Sequence, residues 1–251
     1  MSTSNDMWAD DALANDTPMR DFYRNKTIFL TGATGFLGQI LVEKLLRCEA
    51  KVIYVLARNK RGTSAKERLR EMYSGALFSV LLKEDANYMD LVRVIEGDTR
   101  EMNVGISIND QIELIENVEI VLHAAADVRF DNTLKELSLI NLRGTREMLK
   151  IAERMKRLIM FAYISTAFSN CPNRFIEEKF YPAAIEPETM IRIAEKMTDD
   201  DSMEIVTDKF VAPWPNTYSF TKALSEALMR DYGNRIPIVV VRPSISMTEL
   251  S

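Results

Sequence analysis

The sequence predicts an α/β fold, a doubly wound parallel sheet with helices on both faces. Three observations carry that expectation. Short runs, apolar throughout, alternate with longer stretches whose apolar residues recur at helical spacing, as in parallel strands buried on both faces. The first such run breaks into glycines spaced by three, Gly32, Gly35 and Gly38, and resumes as an apolar helix. At 251 residues, 47% hydrophobic and 27% charged, the chain can bury a substantial core.

In chain order, the strands fall at Thr27–Thr31, Val52–Ala57, Leu91–Glu96, Glu119–Ala124, Ile159–Ser165 and Ile238–Arg242, each five to seven residues of β-favouring type. Between them the spacing predicts helices over Phe36–Cys48, Ala65–Leu82, Ile108–Glu116, Leu134–Met155 and Thr217–Tyr232. Residues 1–21 are acidic and read as a flexible lead-in, followed by one domain from 22 to 251. The segment Pro172–Pro215 breaks the rhythm with prolines and the run "TDDDS", and reads as a surface excursion holding one helix around Glu188–Met197.

Composition narrows the function classes. A net charge of −5 argues against nonspecific nucleic-acid binding, which needs a basic surface. Two distant cysteines, Cys48 and Cys171, argue against a disulfide framework and suit a reducing compartment. One histidine, His123, leaves nothing for a His-rich metal site or a Ser-His-Asp triad, so no metal is expected; it is expected to pack against the sheet. No apolar run approaches the roughly 20 residues that span a bilayer, and the N-terminus lacks the order of a signal peptide.

The glycine spacing points to a dinucleotide turn. Gly32 allows the tight turn, Gly35 lets a pyrophosphate approach the backbone, and Gly38 permits close packing of helix on strand. Where an NAD enzyme usually places an acid for the ribose hydroxyls, the second strand ends in Ala57-Arg58, with Lys60 and Arg61 behind it. Cations there favour a 2′-phosphate and hence NADPH. Asp98 and Thr99, at the end of the third strand, could meet the adenine. Ala124, Ala125 and Ala126, after the fourth, would let backbone lie flat beside a cofactor.

Tyr218 and Lys222 lie four apart on a predicted helix and share a face. A phenol with a pKa near 10 is a poor acid–base catalyst at neutrality, and a nearby ammonium would bring it toward the working range. The fifth strand ends in Ser165 and Thr166, hydroxyls at the carboxyl edge that could stabilise charge growing on a carbonyl oxygen.

In order, "TGATGFLG", "HAAADVRF", "ISTAF", "YSFTK" and "VVVRPS" resemble an extended short-chain dehydrogenase/reductase, and more narrowly the fatty acyl-CoA reductases of the male-sterility-protein family, from about Phe22 to Ile245. The resemblance implies a Rossmann-type domain whose turn Thr31, Gly32, Ala33, Thr34, Gly35, Phe36, Leu37 and Gly38 binds NADPH. It implies Tyr218 as general acid, Lys222 on the nicotinamide ribose, Thr166 with its neighbour Ser165 as the paired hydroxyl, and Asn141 completing the network. Pro243, Ser244 and Ile245 would pass the nicotinamide. The implied reaction reduces a fatty acyl-CoA through an aldehyde to a fatty alcohol, at the cytosolic face of peroxisome or endoplasmic reticulum.

Two departures qualify the resemblance. Asp127 stands where the family commonly has Thr or Ser. The family also continues past "RPSI" into a substrate-binding portion, whereas this chain ends in "SMTELS". A C-terminally incomplete reductase domain is therefore expected, with exposed apolar surface where the remainder would pack. Two other readings stay open: an extended reductase for a sterol, flavonoid or aldehyde, and an NADPH-binding protein without catalysis.

Overall fold

The computed structural model describes residues 18–60, 62–85, 87–197 and 207–245. Arg61 and the "TDDDS" run lie outside them. Six strands form one parallel sheet: β1 (Thr27–Thr31), β2 (Val52–Ala57), β3 (Val92–Glu96), β4 (Ile120–His123), β5 (Met160–Ile164) and β6 (Ile238–Val241), in the order β3-β2-β1-β4-β5-β6. The order reverses between β1 and β4, which opens a crevice at their carboxyl ends.

The chain is first described at α1 (Pro18–Tyr23), so the last four residues of the expected lead-in are helical. α2 (Phe36–Arg47), α3 (Ala65–Tyr73) and α4 (Ser79–Glu84) cover one face of the sheet, burying Ile28, Leu30, Ile53 and Val55 against Val42, Leu45 and Leu69. The single helix expected over Ala65–Leu82 is interrupted at Ser74-Gly75. A 3₁₀ turn, Ala76–Phe78, lets Phe78 pack between Tyr73 and Tyr88.

The opposite face carries α5 (Ile108–Asn117), α6 (Leu134–Leu137), α7 (Gly144–Ala152), α8 (Pro187–Lys196) and α9 (Thr217–Tyr232), packed on Phe29, Tyr54, Val121, Phe161 and Tyr163. The helix expected over Leu134–Met155 is continuous to Ala152, but its middle, Ser138–Arg143, widens into a π-helical turn. Inside the excursion α8 stands within one residue of expectation, and a further helical turn occupies 207–211.

On β6, alternate residues meet different surroundings. Ile238 and Val240 pack into the core beneath α9, whereas Val239 and Val241 are 45% and 43% exposed on the side of the sheet that α2 and α3 cover elsewhere.

Candidate active site

The chain leaves β1 and enters α2 through the glycine turn, and the three glycines do different work. Gly32 has φ +78°, and a β-carbon on it would lie 2.7 Å from the backbone of Ala124 and Ala125. The ends of β1 and β4 can meet only because that side chain is missing. On Gly38 a β-carbon would lie 2.1 Å from the Gly32 carbonyl oxygen, inside the fold. Gly35 is another case, since a β-carbon there meets only the Gly32 oxygen, at 3.3 Å, and the residue lines a cleft. The protein's own packing makes a smaller demand for glycine at 35 than at 38. α2 has no side-chain cap at its N-terminus, which leaves N–H groups and the positive end of the helix dipole open to an anion.

The cleft, about 680 Å³, runs from this turn past the ends of β2 and β3 to the loop after β4. Its lining includes the cations Arg58, Lys60, Arg68 and Arg100 and the carboxylate Asp98. Arg58 Nη1 donates to Asp98 Oδ2 at 3.0 Å, and Arg100 Nη2 donates to the same oxygen at 2.6 Å. Burial alone would raise the Asp98 carboxyl; the bonds from Arg100 and Arg58 outweigh it and hold it at about 2. Thr99 backs this corner, its carbonyl pressed against Gly144, where a β-carbon would come within 2.6 Å. A concave, cation-rich cleft over an uncapped helix fits a dinucleotide.

Beneath the turn, several residues expected at the cofactor prove to be buried supports. Thr31 Oγ1 accepts from the Ala125 N–H at 3.1 Å and bonds His123 Nδ1 at 2.7 Å, while His123 Nε2 bonds Thr145 Oγ1 at 3.0 Å. Thr145 gives its one proton to the Asn141 carbonyl at 2.5 Å, so His123 must donate from Nε2 and accept at Nδ1. Burial, with Lys222 nearby, lowers the imidazole to about 3 and keeps it neutral. Ala33 and Gly38 are likewise buried, and the cleft wall of the turn is Gly32, Thr34 and Gly35, with Phe36 and Leu37 outside it. Ala125 and Ala126 line the cleft as expected.

Asn141 projects from the π-helical turn with both amide atoms on one peptide: Oδ1 accepts from the Asp127 N–H at 2.8 Å and Nδ2 donates to the Asp127 carbonyl at 3.0 Å. The Asp127 carboxylate, which stands where the family commonly has Thr or Ser, is committed to Arg129 and Asn132.

α9 is capped by Asn216, whose Oδ1 accepts from the Ser219 N–H at 2.8 Å. Its spacing turns Tyr218, Lys222 and Glu226 toward β5. Thr166 meets the half-buried Tyr218 phenol there; burial raises the phenol above its usual range, and the Thr166 hydrogen bond offsets part of that. The lowering expected from Lys222 does not occur. Lys222 Nζ donates to the Ile164 carbonyl at 2.7 Å and stands 4.7 Å over the Tyr163 ring. Burial brings the amine down to about 7, against the pull of Glu226.

Ser165, expected beside Thr166 at a substrate carbonyl, instead donates to buried Glu226 at 2.5 Å. Ser169, Asn170 and Arg242 also donate to Glu226, and Arg242 reaches on to the carbonyls of Glu177 and Lys179. The sequence reading missed Glu226 and Arg242. The signal for Glu226 was its place one helical turn after Lys222. Pro243 is held through its carbonyl by the Ala167 N–H at 2.9 Å, while Ser244 and Ile245 are exposed and outside the cleft lining.

Compared with known proteins, residues 30–249 match the family described as male sterility protein. The chain belongs to that family. Among curated relatives in the family, it is 37% identical to the fatty acyl-CoA reductase wat of Drosophila melanogaster, over 93% of this chain and 45% of the relative. Fatty acyl-CoA reductase 1 of Xenopus laevis is 40% identical over 90% of this chain and 44% of its own length. The chain thus spans somewhat under half the length of the curated relatives it matches. Among solved structures, the reductase domain of a nonribosomal peptide synthetase from Mycobacterium tuberculosis superposes with a TM-score of 0.62 at 26% identity, over 88% of this chain and 48% of that one. The terminal R domain from the myxalamid pathway does so at 0.61 and 25%, over 88% and 49%. A Rossmann-type domain for a nicotinamide cofactor agrees with the cleft described above. Among the described residues no cluster of metal-ligating side chains occurs, and no helix is long and apolar enough to cross a membrane.

Proposed function

We propose that this chain carries the chemistry of an NADPH-dependent fatty acyl-CoA reductase, which takes a long-chain acyl thioester through an aldehyde to the alcohol at a cytosolic membrane face. One observation carries the reading: Thr166, two residues past β5, lies beside the Tyr218 phenol of α9 at the sheet edge that also holds the glycine turn. Arg58, Lys60, Arg68 and Arg100 in the cleft lining support NADPH over NADH, because a 2′-phosphate would find cations there.

A bound reduced nicotinamide would supply hydride. Thr166 and Tyr218 hydrogen-bond the carbonyl oxygen and stabilise the charge that grows on it. In the first reduction the oxyanion re-forms its carbonyl and expels the CoA thiolate, leaving the aldehyde. In the second, Tyr218 gives its proton to the oxyanion and completes the alcohol. A phenol raised by burial stays protonated at neutral pH, as an acid must. Lys222, fixed on the Ile164 carbonyl, would hold the ribose, and Asn141 fixes the loop that closes the site.

The test is to incubate the protein with NADPH and palmitoyl-CoA, following loss of reduced-nicotinamide absorbance and formation of alcohol. Tyr218→Phe is expected to cut turnover at least about a hundredfold while leaving NADPH bound. Cofactor binding without any turnover in the unmodified chain would favour a binding protein, and no NADPH binding would sink both readings.

A further inference from the structure

The loop between β4 and α6 is unusual in being tightly held while it presents apolar side chains to solvent. Asn141 clamps the Asp127 peptide on both sides. The Asp127 carboxylate accepts from the Arg129 N–H at 3.1 Å, from its guanidinium, and from Asn132 Nδ2 at 2.8 Å. The Asn132 carbonyl accepts from Thr217 Oγ1 at 3.1 Å, and Thr133 caps α6 through the Glu136 N–H at 3.2 Å. Asp127, Asn132 and Thr133 are thus tied to the π-helical turn, α9 and α6, and Arg129 to Asp127 within the loop, which limits the loop's freedom to bury what it carries. Yet Val128 is 61% exposed and Phe130 is 67% exposed. Val128 lines the cofactor cleft, and the Phe130 ring lies 5.8 Å from that of Tyr218.

We infer that this loop is the wall of the acyl site, with Phe130 the specificity-determining residue that packs against the substrate carbons next to the reacting carbonyl. The inference rests on the acyl-thioester reading above. Its occupant follows from position: whatever presents a carbonyl to Tyr218 must pass Phe130, and an aliphatic chain is the ligand an apolar rim would favour over solvent. The pinned loop would add affinity at little ordering cost.

Calorimetric titration of the NADP⁺-saturated protein, which holds no hydride to transfer, with acetyl-CoA, octanoyl-CoA and dodecanoyl-CoA tests it. In the unmodified protein affinity should rise with chain length. Phe130→Ala should weaken octanoyl-CoA about tenfold, the value of one lost aromatic contact, and acetyl-CoA, with its single methyl at that place, by much less, with NADPH affinity unchanged. Phe130→Trp should restore the octanoyl preference. Because the side chain is exposed, the melting temperature should not move, which separates this role from a structural one. If octanoyl-CoA binds Phe130→Ala as it binds the unmodified protein, the wall is overturned and the apolar pair belongs to a contact with other protein. If the unmodified protein binds NADPH but shows no preference for longer chains, the wall is overturned as well. No binding of any acyl-CoA would also overturn the acyl-thioester reading itself.

Discussion

Lys222 shows how far a side chain's environment can depart from what its spacing suggests. It is 2% exposed, between the Ile164 carbonyl, the Tyr163 ring, neutral His123 and Glu226, and its amine is lowered from 10.5 to about 7. Between those two values the unfolded chain binds a proton that the folded one does not, so this residue makes stability rise with pH from about 7 to 10.5 and penalises the fold in full below that window. Lys222→Met removes the effect. The variant is expected to melt higher than the unmodified protein at pH 7, and the gap should close as the pH approaches 10; a gap independent of pH would refute the assignment. That Tyr218 and Lys222 share a helix face was legible from four-residue spacing. That the lysine bonds a carbonyl 58 positions earlier in the chain, and so leaves the phenol raised, was not, because it depends on β5 lying beneath α9.

The turn from β1 into α2 separates glycines the fold requires, Gly32 and Gly38, from Gly35, on which the fold makes a smaller demand. Gly38→Ala would drive a β-carbon to 2.1 Å from the Gly32 oxygen and should cost at least about 2 kcal/mol. Gly35→Ala meets only a 3.3 Å contact that a small shift relieves, so its melting curve should stay near that of the unmodified protein while NADPH affinity falls. Thermal melts and cofactor titration of the two variants together check this, and equal loss of stability in both would count against a ligand-facing role for Gly35. The turn was readable because its chemistry is local. The π-helical turn was not, since apolar spacing over Leu134–Met155 says nothing about the side chains that claim the Asn141 carbonyl, Thr145 Oγ1 at 2.5 Å and Ser225 Oγ at 3.2 Å. Ser225 belongs to another helix, and that bond exists only after α9 has docked.

Across the molecule, the edge strand β6 leaves Val239 and Val241 facing solvent on one side of the sheet. Exposed apolar edges invite self-association. Val239→Lys is expected to change stability by less than about 0.5 kcal/mol and to reduce concentration-dependent light scattering, whereas Val240→Lys, aimed into the core, should unfold the chain. Equal effects of the two would mean that the register of β6 on β5 is wrong. The alternation of strands and helices, the dinucleotide turn and the Tyr218–Lys222 spacing were all readable before folding, because period, glycine and helical pitch act over a few neighbours. The strand order, the capture of Ser165 by Glu226, the neutral His123 beneath Thr31 and the exposed Phe130 beside Tyr218 came only with the folded chain. Each depends on segments dozens of residues apart being packed together, where burial and the choice of hydrogen-bond partner outweigh any local preference.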